Sequence, residues 1–343
     1  MKIVAAFDSF KGCLSSLAVA EVARKAIEVA RPGAEVVSVG IADGGEGTVD
    51  AVMDSLGGRI VEAIVSDPLG RPTIARYGIA GRLGIIEVSQ ACGISLLDEV
   101  ERNPLQTTTK GVGELILDAI SKGCDRFIIG LGGSATNDGG RGMIEVEGFL
   151  DKARCCTFTV ACDVNNPFIG PSGASYVFGP QKGATPEDVE ILEKRLTNFA
   201  RVILQETGVD VRNMPGAGAA GGLGGAFAAF LGAELRPGIE LVLDTIGFDS
   251  LLDGADLIIT GEGRSDAQTA SGKAPAGVLS RARQKGIPVV LVSGSIKHCP
   301  QLDAMGFVSM TAATPDTMPL AEAMQPETVR KNIYDAIKTI MSE

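Results

Sequence analysis

Residues 127–140 read FIIGLGGSATNDGG. The apolar run Phe127, Ile128 and Ile129 ends at Gly130, and residues 131–140 are mostly glycine, hydroxyl, amide and carboxylate. A strand that stops in such a loop exposes backbone N–H groups. With Ser134 and Thr136, those groups can receive an anionic ligand. Asn137 and Asp138 can hold a metal ion or take a proton. For any one loop of this kind, a tight turn without a ligand is the bland alternative. Here the composition recurs at 43–48 (DGGEGT), 216–225 (GAGAAGGLGG) and 260–266 (TGEGRSD). Four such loops in one chain favour an anion-binding cleft.

Outward from that stretch, the chain reads as strands and helices in alternation. Residues 2–7 (KIVAAF) form a buried-type strand ending at Asp8. Val19, Val22, Ala23, Ala26 and Ile27 then recur at helical spacing, with Ser15 or Ser16 as cap and Pro32-Gly33 as stop. A second strand at 35–41 runs into 42–48, and a helix continues to Leu56. This β–loop–α order predicts parallel strands whose carboxyl ends carry the site. The pattern changes at 59–66 and 73–79, two strands joined by DPLGRP, with a third at 84–89. Such closely coupled strands predict antiparallel pairing. Thr185-Pro186-Glu187-Asp188 opens a helix with a capping hydroxyl, Pro at the first position and acids on the positive end of the dipole. From about residue 250 the first pattern returns, with strands at 256–260, 288–293 and 307–312. The expected architecture is α/β with two domains. Residues 1–58 and 250–343 make a doubly wound parallel-sheet domain, Rossmann- or flavodoxin-like, from both chain ends. Residues 60–245 make an inserted α/β domain with mixed or antiparallel strands.

Composition narrows the function. The chain has 343 residues, 45 of them glycine, and is 45% hydrophobic, as in compact, loop-punctuated α/β proteins. A net charge of −11 argues against nucleic acid or an anionic membrane as partner. It leaves nucleotide binding open, which needs only a local positive pocket. Seven cysteines without a CxxC pair predict reduced thiols and a cytoplasmic protein. MKIVAAFDSF is too short an apolar run for a signal peptide. His298 is the only histidine and sits in a polar stretch, SIKHCP, which argues against a His-based triad and against a multi-His metal site.

Several groups stand just after strand ends, where open α/β sheets place ligands. Lys11, directly after Asp8 and Ser9, can reach a phosphate. Asp43 and Glu46 can hold Mg²⁺ or bind substrate hydroxyls, with helix capping as the alternative. Glu262 and Asp266 flank Arg264, and Lys182 sits in a tight turn, GPQKG. Two tempting motifs fail on context. Residues 216–221 fit the dinucleotide fingerprint, yet 211–215 do not read as a buried strand. Residues 271–274 (SGKA) end like a P-loop but lack its leading glycine, at Ala267, and its hydroxyl, at Ala274. A cleft between the two bodies is the expected place for the site.

Together these stretches resemble bacterial glycerate kinases of the class named for the glycerate catabolic pathway. The matching stretches are DSFKG (8–12), ADGGEGT (42–48), DPLGRP (67–72), ERNPLQTTTKGVGEL (101–115), GLGGSATNDGG (130–140), ACDVNNP (161–167), FGPQKGATPE (178–187), GAGAAGGLGGA (216–226) and 254–269. They span nearly the whole chain in order. The resemblance implies ATP-dependent phosphorylation of D-glycerate with Mg²⁺, at the 2-hydroxyl. Phosphorylation at the 3-hydroxyl, or a non-catalytic anion- or nucleotide-binding protein on the same scaffold, stays open, as does a homodimer. On this reading Asp8, Lys11, Asp43 and Asp138 are the catalytic candidates, and Ser9, Glu46, Arg71, Arg264 and Asp266 the substrate-binding ones. Gly132, Gly133, Ser134, Thr136, Asn137, Lys182, Gly216 and Gly218 are candidates for the nucleotide, and Glu262 for the metal. The chain departs from the family pattern at Phe7, Arg141 and Ser265. Residues 147–157 are much shorter than the family segment, through a lost hairpin or through residues missing from the chain.

Overall fold

The computed structural model describes residues 1–342. Its strands in chain order are β1 (Lys2–Phe7), β2 (Glu35–Gly40), β3 (Arg59–Ser66), β4 (Pro72–Ala80), β5 (Leu83–Glu87), β6 (Arg126–Gly130), β7 (Thr157–Ala161), β8 (Glu234–Arg236), β9 (Leu257–Gly261), β10 (Arg264–Ser265), β11 (Val289–Ser293), β12 (Ser295–Ile296) and β13 (Ser309–Ala312). The chain forms two compact units. One holds Met1–Asp43, Asp54–Leu56 and the chain from Ile239 onward; the other holds Gly44–Met53 and Gly57–Gly238.

The first unit carries a parallel sheet in the order β13-β11-β9-β1-β2. Numbered within the unit, the order is 2-1-3-4-5, the flavodoxin-like winding, and it reverses between β1 and β9. Strands covered on both faces read as continuous apolar runs, and every residue of β11 is buried. The helix Ser16–Ala30 is capped by Ser15, whose hydroxyl accepts the Ala18 N–H at 3.3 Å. Its Val19, Ala23 and Ile27 join Ile3, Ala5 and Phe7 of β1 and Ile333 and Ile337 of the helix Pro326–Ser342 in one core. The helix Ala274–Gln284 packs on β1, β9 and β11. Gly261 ends β9 where a Cβ would lie 1.7 Å from the Val292 carbonyl oxygen, so only glycine fits that crossing.

The second unit carries a mixed sheet in the order β3-β4-β5-β6-β7-β8. β3, β4 and β5 pair antiparallel, and β5 through β8 pair parallel. The turn between β3 and β4 is held by Asp67 Oδ1, which accepts the N–H groups of Leu69 and Arg71, both at 2.8 Å. Phe127 and Phe158 stack with centroids 4.9 Å apart in the core, and Phe227 tilts against Phe158 at 5.8 Å. The helix Pro186–Thr207 starts with a reciprocal Thr185–Asp188 capping box and stops at Gly208, φ 76°. The short 147–157 segment closes without exposing the core. Its helix Phe149–Ala153 leads to β7 with Phe149 and Ala153 fully buried. The α/β reading, with one parallel and one mixed sheet, holds. β8 was not legible, because a three-residue strand carries no periodicity.

Candidate active site

In the first unit, β9, β1 and β2 lie side by side, and the chain leaves their carboxyl ends at Glu262, Asp8 and Asp43. All three carboxylates line one pocket of about 520 Å³, with Ser9, Lys11, Arg264 and Lys273. Asp8 is 3% exposed and accepts the Ser9 N–H at 2.6 Å. Burial pushes its carboxyl up to about 7; Asp43 and Glu262 add to the rise, while the Ser9 N–H and Lys11 oppose it. Glu262 is also buried, and burial raises its carboxyl too, against hydrogen bonds from Thr269 and Ser265 and the charge of Lys273. Its Oε1 accepts from Thr269 Oγ1 at 2.6 Å and Ser265 Oγ at 3.0 Å, and Ser265 Oγ lies 2.7 Å from Ser293 Oγ.

Among the described residues no three His, Cys, Asp or Glu groups converge into a metal cage. Mg²⁺ does not need one, since it keeps several waters and binds through one or two carboxylates plus substrate phosphates. Glu262 with Asp8 or Asp43 fits an ion that arrives with a phosphate. Arg264 is exposed and pairs with Asp266 at 3.4 Å. Asp266 Oδ1 accepts the Gln268 N–H at 2.9 Å and shapes the turn. Lys273, set aside with the P-loop comparison, stands at the N-cap of the helix Ala274–Gln284 and lines the pocket. Its only local signal was a lysine directly before a helix start.

In the second unit, residues 130–140 leave β6 as a glycine-rich loop. Gly132 and Gly133 are exposed, with Gly133 at φ 74°. Behind them Lys182 is 3% exposed, and its Nζ donates to Ser134 Oγ at 3.0 Å and the Thr136 carbonyl at 2.7 Å. Burial lowers this lysine to about 8, while Cys92 and Asp138 act to raise it. Cys92 is fully buried, and burial pushes its thiol up to about 12.

Asp138 is bound within its own loop. Its Oδ2 accepts Thr109 N–H at 2.8 Å, Thr109 Oγ1 at 2.8 Å and Gly142 N–H at 3.1 Å, and its Oδ1 accepts Gly140 N–H at 3.1 Å. The carboxylate thus ties the starts of the helices Lys110–Ser121 and Arg141–Ile144 together. Asn137 donates to Ser175 Oγ at 3.1 Å. Asn137 and Asp138 line a second pocket of about 650 Å³.

Gly44 crosses the strand ends of the second unit. A Cβ on Gly44 would lie 2.6 Å from Ala161 Cβ, the last residue of β7, and a Cβ on Gly130 would lie 2.4 Å from the Gly44 carbonyl oxygen. Glu87, the last residue of β5, accepts the Val49 N–H at 2.9 Å beneath the start of the helix Thr48–Leu56. Burial pushes its carboxyl up to about 7, with Asp50 and Glu46 adding to the rise. Sequence reasoning missed Glu87, whose only signal is one acid at the end of an apolar run, GIIE. Glu46 itself is exposed and lines neither pocket.

Arg71 is engaged elsewhere. Its guanidinium pairs with Asp67 at 2.6 Å and Glu101 at 2.6 Å, and it lines neither pocket. Gly216 and Gly218 are buried, and the Gly218 N–H already donates to the Asn166 carbonyl at 3.0 Å. A Cβ on Gly218 would lie 2.2 Å from the Pro167 carbonyl oxygen, so close packing explains that glycine. No strand precedes this turn among the described residues 211–218.

Buried acids, neighbouring cations and glycine-rich loops at strand ends are the parts of a site that positions charge and needs no histidine. The comparisons with known proteins give that arrangement a class. The chain matches the glycerate kinase family over residues 3–154 and 144–343. It is 41% identical to glycerate kinase of Bacillus subtilis strain 168 over 356 aligned positions, covering 95% of this chain and 93% of that one. It is 42% identical to glycerate 2-kinase of Escherichia coli K12, covering 86% of each. It also resembles a crystal structure of a Salmonella typhimurium LT2 protein assigned as glycerate kinase 2, with TM-score 0.89, 40% identity, and 100% and 97% of the two chains covered. The protein is a two-unit α/β kinase. It belongs to the glycerate kinase family. The two family matches overlap at residues 144–154, beside the segment that the sequence reads as short. Consistently, alignment with glycerate kinase of Bacillus cereus ATCC 10987 runs to 379 positions while covering all of this 343-residue chain. No helix among the described residues is long and apolar enough to cross a membrane.

Proposed function

We propose that this enzyme transfers the γ-phosphoryl group of ATP, as its Mg²⁺ complex, to the 2-hydroxyl of D-glycerate, giving ADP and 2-phosphoglycerate. The observation that carries the reading is the buried Asp8 at the switch point of the first sheet, with its carboxyl held near 7 and Asp43, Glu262, Lys11 and Lys273 around the same pocket. A base poised near working pH suits proton removal from an alcohol. The substrate oxygen attacks the γ-phosphorus, the bond to the β–γ bridging oxygen breaks, and the hydroxyl proton passes to Asp8, with Asp43 orienting the hydroxyl beside Ser9. Lys11 and Lys273 neutralise phosphate charge, and Arg264 meets the glycerate carboxylate. Glu262 would hold Mg²⁺, which would supply charge neutralisation across the phosphates when bound.

In the second unit, the exposed turn at Gly132 and Gly133 is the proposed anion contact, while the Ala135 N–H behind it already donates to the Cys92 carbonyl at 2.7 Å. Lys182 braces that loop from behind, and Asp138 sets its shape. ATP as a substrate and cysteines free of disulfides support a cytoplasmic place. A coupled ADP-release assay with D-glycerate, completed by phosphorus NMR of the product, tests the reading. The expected result is glycerate-dependent ADP and a phosphate on carbon 2. A signal on carbon 3 moves the transfer to the other hydroxyl, and no glycerate-dependent ADP sinks the proposal.

A further inference from the structure

The pocket of the first unit has two unlike halves. One is charged, with Asp8, Asp43 and Glu262 facing Lys11, Arg264 and Lys273. The other is apolar, walled by Phe10, Met318, Leu320, Met324 and Val329. Phe10 and Val329 belong to the core of the unit. Leu320 and Met324 do not: they are 76% and 41% exposed, an apolar surface that the core leaves uncovered. Glycerate has no apolar part to place there. At about 520 Å³ the pocket falls in the range, ~300–1,000 Å³, that encloses ligands far larger than a three-carbon acid.

We propose that the apolar half seats the purine base of the nucleotide, stacked against Met318, Leu320 and Met324, with its phosphate tail running toward Lys11 and Lys273. The inference rests on the kinase reading and adds to it the place of the base. A nucleoside triphosphate is flat and aromatic at one end and polyanionic at the other, which matches the division of this pocket. Thioethers are polarisable and flexible, and their sulfur atoms pack well against aromatic rings. Met324 is already oriented, with its sulfur 3.5 Å from Cys13 Sγ, and Met318 accepts from Asn332 Nδ2 at 3.7 Å. The location agrees as well. The pocket spans the residues just beyond β1, β9, β11 and β13, across the reversal of strand order where doubly wound sheets hold their ligands. The charged half then faces the phosphates and the metal they carry, and the small acid needs only the polar corner beside Asp8.

The test uses the whole chain, with ADP binding measured by calorimetry in Mg²⁺ and steady-state kinetics beside it. Met324→Glu and Leu320→Glu each place a charge against the base. Both are expected to weaken ADP binding and raise KM for ATP about tenfold or more, with KM for D-glycerate within about twofold. Met324→Leu, which keeps volume and apolarity, should stay within about twofold of wild type. Both side chains are exposed enough for the variants to fold, and circular dichroism melts check this. Variants that leave ADP affinity unchanged, or that raise only KM for glycerate, overturn the inference while the kinase reading stands. ADP binding that responds to Met324→Glu in a protein that never releases ADP with glycerate sinks the kinase reading and leaves the base where we place it.

Discussion

The two sheets solve one problem in different ways. In the first unit, strand order reverses between β1 and β9. Loops leaving the two strands at a reversal diverge to opposite faces, and a crevice opens at their carboxyl ends. Asp8 and Glu262 stand on either side of that reversal and line the same pocket. In the second unit, order runs from β3 to β8 without a reversal, so every parallel crossover advances the same way. No crevice arises from topology there. The unit instead builds surface from segments laid over its strand ends: Gly44 over β6 and β7, and the loop after β6 braced by Lys182. The charges differ in the same sense. The first unit gathers buried acids in a pocket with cations around them. The second buries a cation whose ammonium is held by a hydroxyl and a carbonyl. A reversal places functional groups through the fold itself. A sequential sheet must place them through loop packing.

That contrast can be broken or sharpened by mutation. The largest effect expected among the loop and pocket cations is from Lys182→Met, which removes both hydrogen bonds holding 134–136. It should lower kcat/KM by roughly 10²–10³-fold, the scale of losing preorganised charge or donors around a transition state. Near wild-type kinetics would mean that the braced loop of the second unit has no part in the reaction. Lys11→Ala in the first unit should cost ~10²-fold in kcat/KM, read in the same assay. A wild-type value would make Lys11 an ordinary surface lysine.

Ser265→Ala should be milder, a few-fold in kcat/KM and in the Mg²⁺ concentration for half activity, because Thr269 still holds Glu262 Oε1. A loss as large as that of Lys11 would show that the Ser293–Ser265 pair fixes Glu262 alone. The smallest effect concerns stability. The Glu87 carboxyl is raised from 4.5 to about 7 in the folded protein, so between those values the folded state holds a proton that the unfolded state has released. Its contribution to stability is fully present below pH 4.5 and is lost as pH rises through 7. Glu87→Gln should remove that dependence and gain on the order of 1–2 kcal/mol at pH 8, with little change at pH 4, in urea titrations. Equal slopes for both proteins would show that Glu87 is not held protonated.

Much of the first unit was legible in the sequence. Its strands are short apolar runs that each end in a polar loop, and the strand-end rule led to Asp8, Asp43 and Glu262 without any knowledge of which strands pair. Ser15 and Thr185 announced their helices because capping is local. What stayed hidden depends on contacts distant in sequence. Glu87 looks like any strand residue until Val49 is folded onto it. Lys273 was set aside on a motif that requires a particular spacing, although the pocket needs only a cation there. Gly216 and Gly218 suggested a phosphate turn, while Gly216 is held at φ 79° beside Cys162 and Leu235 and Gly218 answers to the packing of 166–167. Asp138 suggested a catalytic acid, and its four hydrogen-bond donors, from Thr109, Gly140 and Gly142, are apparent only when the loop closes.

The most direct measurement sets one acid of each unit against the other. Asp8→Asn and Asp138→Asn are compared for kcat in the coupled assay and for melting temperature. The account predicts that Asp8→Asn lowers kcat by ~10²–10⁴-fold, the range of a lost general base, and does not lower the melting temperature, since a buried carboxylate without an ion pair gives way to a neutral amide. Asp138→Asn turns an amide toward backbone donors and should lose ~1.5–3 kcal/mol of stability. The opposite pattern, with Asp138→Asn folded and inactive and Asp8→Asn close to wild type in kcat, would contradict the account.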